Sequence, residues 1–299
     1  MKILCYGSLN LDYVYQVEHI VQPGETIMSH SFQLFSGGKG MNQAIALGRA
    51  NAACSMAGMI GRDGVHLVEG LKESGVEAGL VTVSENNTGH AIIQVDKKGQ
   101  NSILYFPGAN RKIDNTSVQQ ALGHFTSGDY VLLQNEINNI PYIMEQAKGK
   151  GMKIAFNPSP ITAGILDYPL HLVDLMIMNE IEGFEITGEK VEENILKKMH
   201  ERYPDTVVIL TLGKKGALYS DGVNLYRHGI YDVKVLDTTA AGDTFTGYFL
   251  ASHAGGDPVD VCLRKASIAS SIAVSRHGAS DSIPYLHEVE TSGLPLAKA

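Results

Sequence analysis

The sequence predicts an α/β fold: a central, mainly parallel sheet with helices on both faces, plus a small separate β-sheet that serves as a lid. Three observations predict it. Through most of the chain, short apolar runs bounded by turns alternate with segments whose apolar residues recur at helical spacing, the βαβ rhythm of a parallel sheet. Two regions, 14–35 and 88–106, break that rhythm with strand-like runs around Pro23-Gly24 and Lys97-Lys98-Gly99-Gln100, and these read as hairpins. A length of 299 residues with 44% hydrophobic and 19% charged composition supports one large core without disulfide or metal staples. The chain is therefore expected to be a single α/β domain over 1–299, with lid strands at about 12–35 and 88–106.

Taken in order, residues 2–7 make a first buried strand, and the following GSLNLD reads as a polar turn at its carboxyl edge, where parallel strands present ligand groups. After the first hairpin, Ser36-Gly37-Gly38-Lys39-Gly40-Met41-Asn42-Gln43 opens a helix over 39–50. Bare backbone there can approach a polar ligand, and Asn42 can hydrogen-bond it. A strand ACSMAG, a helix over 65–74 and the second hairpin follow, then strands DYVLLQ, KIAFN, DLMIMN and TVVILTL with helical segments between them. DLMIMN runs into Asn179-Glu180-Ile181-Glu182, which puts Asn179 and Glu182 at i, i+3. That pair reads either as a helix cap or as an amide and a carboxylate able to hold hydrated Mg²⁺. TVVILTL ends in Thr211-Leu212-Gly213-Lys214-Lys215-Gly216, either a plain turn or a bare main chain against which a base and ribose can lie. A small-residue helix over 266–274 and a tail after Pro284 complete the chain.

The stretch Asp237-Thr238-Thr239-Ala240-Ala241-Gly242-Asp243-Thr244-Phe245 carries the most chemistry. From Thr244 the apolar residues Phe245, Tyr248, Phe249 and Ala251 have helical spacing, so Ala241, Gly242 and Asp243 fall at a helix N-terminus, where unpaired amides and the dipole favour an anion. Asp243 is expected to cap that helix, and Thr246 in place of Glu or Gln completes no capping box. Two alanines and a glycine ahead of it leave the approach clear. An aspartate so placed can face both a phosphoryl group and an attacking hydroxyl.

Several classes are excluded or disfavoured. The chain has neither GxxxxGK[ST] nor GxGxxG after its first strand, which argues against P-loop kinases and nicotinamide dehydrogenases. A net charge of −8 disfavours a nucleic-acid polymer as partner, while a local amide cradle still suits a small anion. Cys5, Cys54 and Cys262 are widely separated and form no CxxC pair, so they read as reduced core residues. The opening MKILCYGSLNLD is too brief for a signal peptide and no stretch approaches spanning length, so a cytoplasmic location is expected.

In order along the chain, GSLNLD, PGET, FSGGKGMNQA, GRDG, GAN, QNE, NPSP, NEIE, TLGKKG, DTTAAGDTF and AVSRHGASDSIP together resemble the PfkB carbohydrate kinases. Ala240, where many members have glycine, places the resemblance nearest their ribokinase branch. The resemblance implies a ribokinase-like fold and transfer of the γ-phosphoryl group of ATP to a primary hydroxyl of a small sugar, with O5 of D-ribose as the leading case and ribose 5-phosphate as product. Deoxyribose, a nucleoside and a phosphorylated hexose are the alternatives within that class. A non-catalytic sugar or nucleotide sensor is the alternative outside it, and an intact Asp243 argues for catalysis. A nucleoside acceptor requires an apolar slot, for which Ile92 and Tyr105 are the candidates.

By motif matching, Asp243 is the implied base, and the amides of Ala240, Ala241, Gly242 and Asp243 the implied anion hole. Asn10, Asp12, Gly38, Lys39, Asn42 and Glu136 are implied to ring the sugar. Asn179, Thr211, Gly213, Gly216, Gly242 and Ser267 are implied for the nucleotide, and Glu182 for Mg²⁺ through its water shell. Asp237, Thr239, Ala273, Arg276, Gly278 and Ser282 match a K⁺ position, where Arg276 has only its carbonyl to offer. Unpaired edges of the lid strands point to a homodimer joined through the lid.

Overall fold

The computed structural model describes residues 1–297. Its larger sheet has nine strands: β1 (Ile3–Tyr6), β4 (Cys54–Gly61), β5 (Glu77–Ser84), β8 (Tyr130–Gln134), β9 (Lys153–Asn157), β10 (Leu175–Asn179), β11 (Val207–Thr211), β12 (Ala217–Ser220) and β13 (Leu225–His228). Across the sheet they run β13-β12-β11-β10-β9-β8-β1-β4-β5, parallel from β11 to β5, with β12 and β13 antiparallel at one edge. The chain winds outward from β1 through β4 to β5, then returns to β1's other side at β8. The crevice at such a reversal, beyond the strands' carboxyl ends, is where open α/β sheets bind ligands.

Central strands read as continuous apolar runs because both faces are covered. Ile3, Cys5, Leu132, Ala155, Ile177 and Ile209 enter one core, beneath α1 (Lys39–Arg49), α2 (His66–Glu73), α7 (Ala241–Ala254) and α8 (Val259–Val274). Leu4, Tyr6, Val131, Leu133, Phe156, Met176 and Leu210 enter the other, beneath α3 (Asn115–Leu122), α4 (Ile140–Gly149), α5 (Glu180–Thr187) and α6 (Glu192–Arg202). A short α9 (Leu286–Thr291) closes the chain on the first side. Helices α1 and α7 approach so closely that a Cβ on Gly247 would stand 2.4 Å from Ala46 Cβ.

The smaller sheet has the order β3-β2-β6-β7, built from β2 (Asn10–Gln16), β3 (Ser31–Gly37), β6 (Gly89–Val95) and β7 (Asn101–Phe106). Both expected hairpins form, and a parallel β2–β6 pairing welds them into one sheet. Four features depart from the sequence reading. Asn10, Leu11 and Asp12 are strand residues, paired with Gly37, Ser36 and Phe35, so only the start of GSLNLD is a turn. The first hairpin therefore begins ahead of residue 14, and its partner strand runs on to Gly37. Strands β5, β12 and β13 have no counterpart in that reading. Asp243 is not a cap: Ala240, left-handed at φ 59°, occupies the N-cap position, and Asp243 is the third residue of α7.

Candidate active site

The carboxyl ends of β9, β10 and β11 meet the N-termini of α1, α5 and α7 around a cleft of about 240 Å³, lined among others by Lys39, Asn157, Asn179, Glu182, Thr211 and Asp243. A larger cavity of about 410 Å³ lies near Ile3, at the amino edge of β1. Its charged pair, Asp257 and Lys265, is already bonded together.

Asp243 forms the floor between the two halves of the site. Its side chain is buried at 6% exposure, with Oδ2 accepting a hydrogen bond from Asn42 Nδ2 at 3.0 Å and Oδ1 accepting one from Gln43 Nε2 at 2.9 Å. The left-handed turn at Ala240 starts α7 abruptly. Thr244 makes the first helical bond, to Ala240 O, and the Ala241 amide reaches back to Thr238 O at 3.3 Å. The amides of Gly242 and Asp243 have no protein acceptor among the described residues, and nothing stands within 4 Å of where a Cβ on Gly242 would be. The Ala240 amide is likewise without an acceptor among the described residues, so free N–H groups at a dipole's positive end form an anion cradle from which, of the four amides expected, only that of Ala241 is turned inward.

On the lid side, carboxylates gather. Glu136 Oε2 accepts hydrogen bonds from Ser8 Oγ and from the Lys39 amide at 3.0 Å. Burial holds the Glu136 carboxyl above its usual range, with Lys39 and Ser8 pulling the other way. The Asp12 carboxylate makes no hydrogen bond among the described residues, and burial followed by the Glu136 charge pushes it up to about 6. Its Oδ2 lies 2.1 Å from where a Cβ on Gly37 would stand, and Gly38, at φ 94°, brings the chain against Ser8 O and the Asn10 amide. Only glycine satisfies both demands. The Lys39 ammonium answers this acidity: the Asp243 charge, then Glu136 and Glu182, raise its pKa against the opposing effect of burial.

Asn10 Oδ1 takes a hydrogen bond from Asn110 Nδ2 at 2.8 Å, and Asn110 Oδ1 takes one from the Leu9 amide, so Asn10 is held with its own amide nitrogen free. Tyr105 of the lid stands by Asn10 and Asn110, and burial pushes its phenol up to about 12. Ile92 is 38% exposed.

On the opposite side, Asn179 and Glu182 do form a capping box: Asn179 Oδ1 accepts from the Glu182 amide and Glu182 Oε2 from the Asn179 amide, each at 2.9 Å. The two residues thus cap α5 and also line the cleft, with one Glu182 oxygen left over. No cluster of three His, Cys, Asp or Glu suited to a metal exists among the described residues. Thr211 lines the cleft and Gly213 is unobstructed. Gly216 differs: at φ 90° its Cβ position lies 1.9 Å from His228 O, so its bareness serves the approach of β13. Ser267 is buried in α8 at 4% exposure, outside the residues lining the cleft.

Behind the cradle, Asp237 Oδ1 accepts hydrogen bonds from Thr239 N and Oγ1, and Oδ2 accepts one from the Gly278 amide. Burial opposes this carboxylate, and those bonds outweigh it, holding its pKa below the usual range. Ala273 O receives the Arg276 amide, the Arg276 guanidinium pairs with Glu288, and Ser282 Oγ donates to Ala279 O. Ser280 Oγ donates to Ser36 O, and Arg49 donates to the carbonyls of Ser280 and Ile283, tying this loop to the lid's foot and to α1. Ser8, Gln43, Asn110, Gln134, Asn157 and Ser270, whose Oγ donates to Ala241 O, all escaped assignment. The first five lie inside recognisable motifs, and their sequence signal stops there.

Residues 1–286 match the pfkB family carbohydrate kinases, and the chain belongs to that family: it is a phosphotransferase with an alcohol acceptor. A ribokinase of Haemophilus influenzae is 36% identical over 294 residues, spanning 94% of this chain and 95% of that protein. The crystal structure of a ribokinase from Cryptococcus neoformans var. grubii in complex with ADP is similar with a TM-score of 0.86 at 31% identity, covering 97% of this chain and 99% of that one. The structure of Arabidopsis thaliana ribokinase complexed with ribose and ATP is similar with a TM-score of 0.85 at 29% identity, covering 97% of each chain.

Proposed function

We propose that this chain is an ATP-dependent ribose kinase that transfers the γ-phosphoryl group to O5 of D-ribose. The observation that carries the reading is Asp243 itself: a buried carboxylate below two unpartnered helix amides, with sugar-type ligands on one side and an open cleft on the other. The similarity to ribokinases, including one complexed with ribose and ATP, supports the same substrates. In this reading Asp243 orients the 5-hydroxyl and takes its proton late in the transfer, because an alcohol is far less acidic than a carboxylic acid. The amides of Gly242 and Asp243 hold charge on the transferring group without reorganising during reaction. Asn10, Asp12, Lys39, Asn42 and Glu136 serve the sugar. Two carboxyl groups, Asp12 and Glu136, on the sugar side favour a neutral polyol over a sugar phosphate, which would call for more Arg or Lys.

Asn179 and Thr211, which line the cleft, and the unobstructed Gly213 serve the nucleotide in this reading, while the burial of Ser267 and the packing duty of Gly216 argue for at most indirect roles. Glu182, with one oxygen spare, fits Mg²⁺, which keeps most of its waters and shares substrate phosphates; when bound it neutralises their charge. The Asp237–Gly278 crossing, with carbonyls of Ala273 and Gly278 and the Ser282 hydroxyl nearby in sequence, offers the oxygen-rich donor set that K⁺ prefers. The four lid strands form a cover for the sugar, and their exposed Phe32, Leu34, Ile103, Leu104 and Phe106 favour a homodimer through that sheet. Among the described residues no helix is long and apolar enough to cross a membrane.

The test is ADP release with ribose, deoxyribose, fructose, fructose phosphate and nucleosides, in K⁺ and in Na⁺. Turnover highest with ribose and stimulated by K⁺ is expected. A protein that turns over none of the pentoses refutes the ribose assignment.

A further inference from the structure

Asp243 is anchored by a chain of amide side chains that reaches well beyond the sugar and nucleotide ligands. Gln43 Nε2 donates to Asp243 Oδ1 at 2.9 Å and also to Asn157 Oδ1 at 3.0 Å. Gln43 Oε1 accepts from Gln134 Nε2 at 2.7 Å, and Asn157 Nδ2 donates to Ile177 O at 2.8 Å. The chain thus runs from the backbone of β10 through β9 and α1 to the helix that carries the base. Gln43 and Gln134 are fully buried.

The physical need for such a chain follows from torsions. The last torsion of an aspartate is a broad sp³–sp² rotation, so the rotamer alone does not set the plane of its carboxylate. One donor, from Asn42, fixes one oxygen and leaves rotation about that bond. A second donor on the other oxygen fixes the plane. Gln43 has the same weakness at its own amide, and the orientation of that amide is settled from outside: Ile177 O accepts from Asn157, which turns Asn157 Oδ1 toward Gln43, which leaves Gln43 Oε1 for Gln134. Both donors to Asp243 are neutral amides, so they orient the base without neutralising it.

The arrangement is costly. Gln134 Oε1 is buried without a partner, 2.1 Å from where a Cβ on Gly7 would stand. A layer needing only packing between sheet and helix would be better served by apolar side chains.

We propose that Gln43, locked by Asn157 and Gln134, is the positioning residue that sets the plane of the Asp243 carboxylate for attack by the sugar hydroxyl. This rests on Asp243 acting as the base. Gln43 touches neither substrate; it acts through Asp243. Gln43→Met, which keeps the volume and removes the donor, is expected to lower kcat roughly 10- to 100-fold, as misplacement of a reacting group does. KM values for ribose and ATP should stay within about twofold, since the ligands that bind ground states are untouched. Asp243→Ala is assayed beside it. An inactive Asp243→Ala with full kcat in Gln43→Met overturns the positioning role alone. Turnover retained in Asp243→Ala overturns the base assignment and the proposal with it. Equal losses in kcat, ribose affinity and melting temperature for Gln43→Met also overturn it, because they mark a structural amide. Should Gln43→Met fail to fold, Gln134→Met carries the test one link further out: kcat lowered roughly three- to tenfold at constant KM supports the relay, and unchanged kcat refutes it.

Discussion

Asp12 is expected to cost the folded protein stability in exchange for sugar binding, and Asp12→Asn separates the two. Burial and the nearby Glu136 charge push the Asp12 carboxyl from 3.8 up to about 6, and no hydrogen bond compensates it. A raised carboxyl favours folding in its acid form. Its contribution is therefore fully present below about pH 4 and is lost as pH rises through 6. The shift of roughly two units corresponds to about 3 kcal/mol at neutral pH, at 1.36 kcal/mol per unit. An asparagine of the same shape carries no charge to desolvate, so the ligand-free Asp12→Asn protein should be more stable at pH 8 by up to about 3 kcal/mol, on the order of 5 °C in Tm. At pH 4.5 the gain should shrink to about 1 kcal/mol. Urea unfolding of both proteins at the two pH values measures the difference, and comparison with wild type cancels groups that titrate equally in both. A gain independent of pH, or a variant less stable at pH 8, refutes the reasoning. The same substitution should raise the ribose KM by roughly 100-fold, since charged acceptors bind hydroxyls far better than amides do.

Three further outcomes are expected. In the wild type, the ribose KM should rise as pH falls through about 6, because Asp12 then gains its proton, while kcat at saturating sugar changes less; a flat KM between pH 5 and 8 would contradict the assigned sugar contact. Gly216→Ala forces a Cβ onto His228 O at a left-handed backbone angle. It should cost roughly 3 kcal/mol in urea unfolding and leave the ATP KM nearly unchanged, whereas a large KM effect at wild-type stability would restore Gly216 to the nucleotide site. Light scattering should give twice the 32.2 kDa chain mass, and Leu104→Glu, placed on the exposed lid face, should give a single chain; a wild-type monomer at all concentrations ends the dimer proposal.

The parallel core was readable because strands buried on both faces are written as uninterrupted apolar runs, such as Leu175 to Met178 and Tyr130 to Leu133. Strand β5 was not, since as an edge strand it mixes exposed and buried residues without clean alternation. β12 and β13 are four residues each, too short to carry a period, and β13 pairs with β12 alone. Asn10 to Asp12 look like a turn on their own; they are strand because Ser31–Gly37 and Gly89–Val95 supply partners far along the chain.

From sequence alone came the α/β class, the two hairpins, the glycine and alanine approach to Asp243, and the set of motifs that carries the family resemblance. These are local properties: periodicity, side-chain size and backbone permissiveness act within a few residues. Only the tertiary structure decided that Asp243 is the third residue of its helix and not the cap, that Asn42 and Gln43 grip its two oxygens, that Gly216 serves β13, and that Asp12 is buried, and set near Glu136, so that its proton affinity rises. Each depends on groups brought within a few ångströms across up to 201 positions of chain. Hydrogen bonds and charge repulsion at that range depend on distance in space, which the order of residues does not specify.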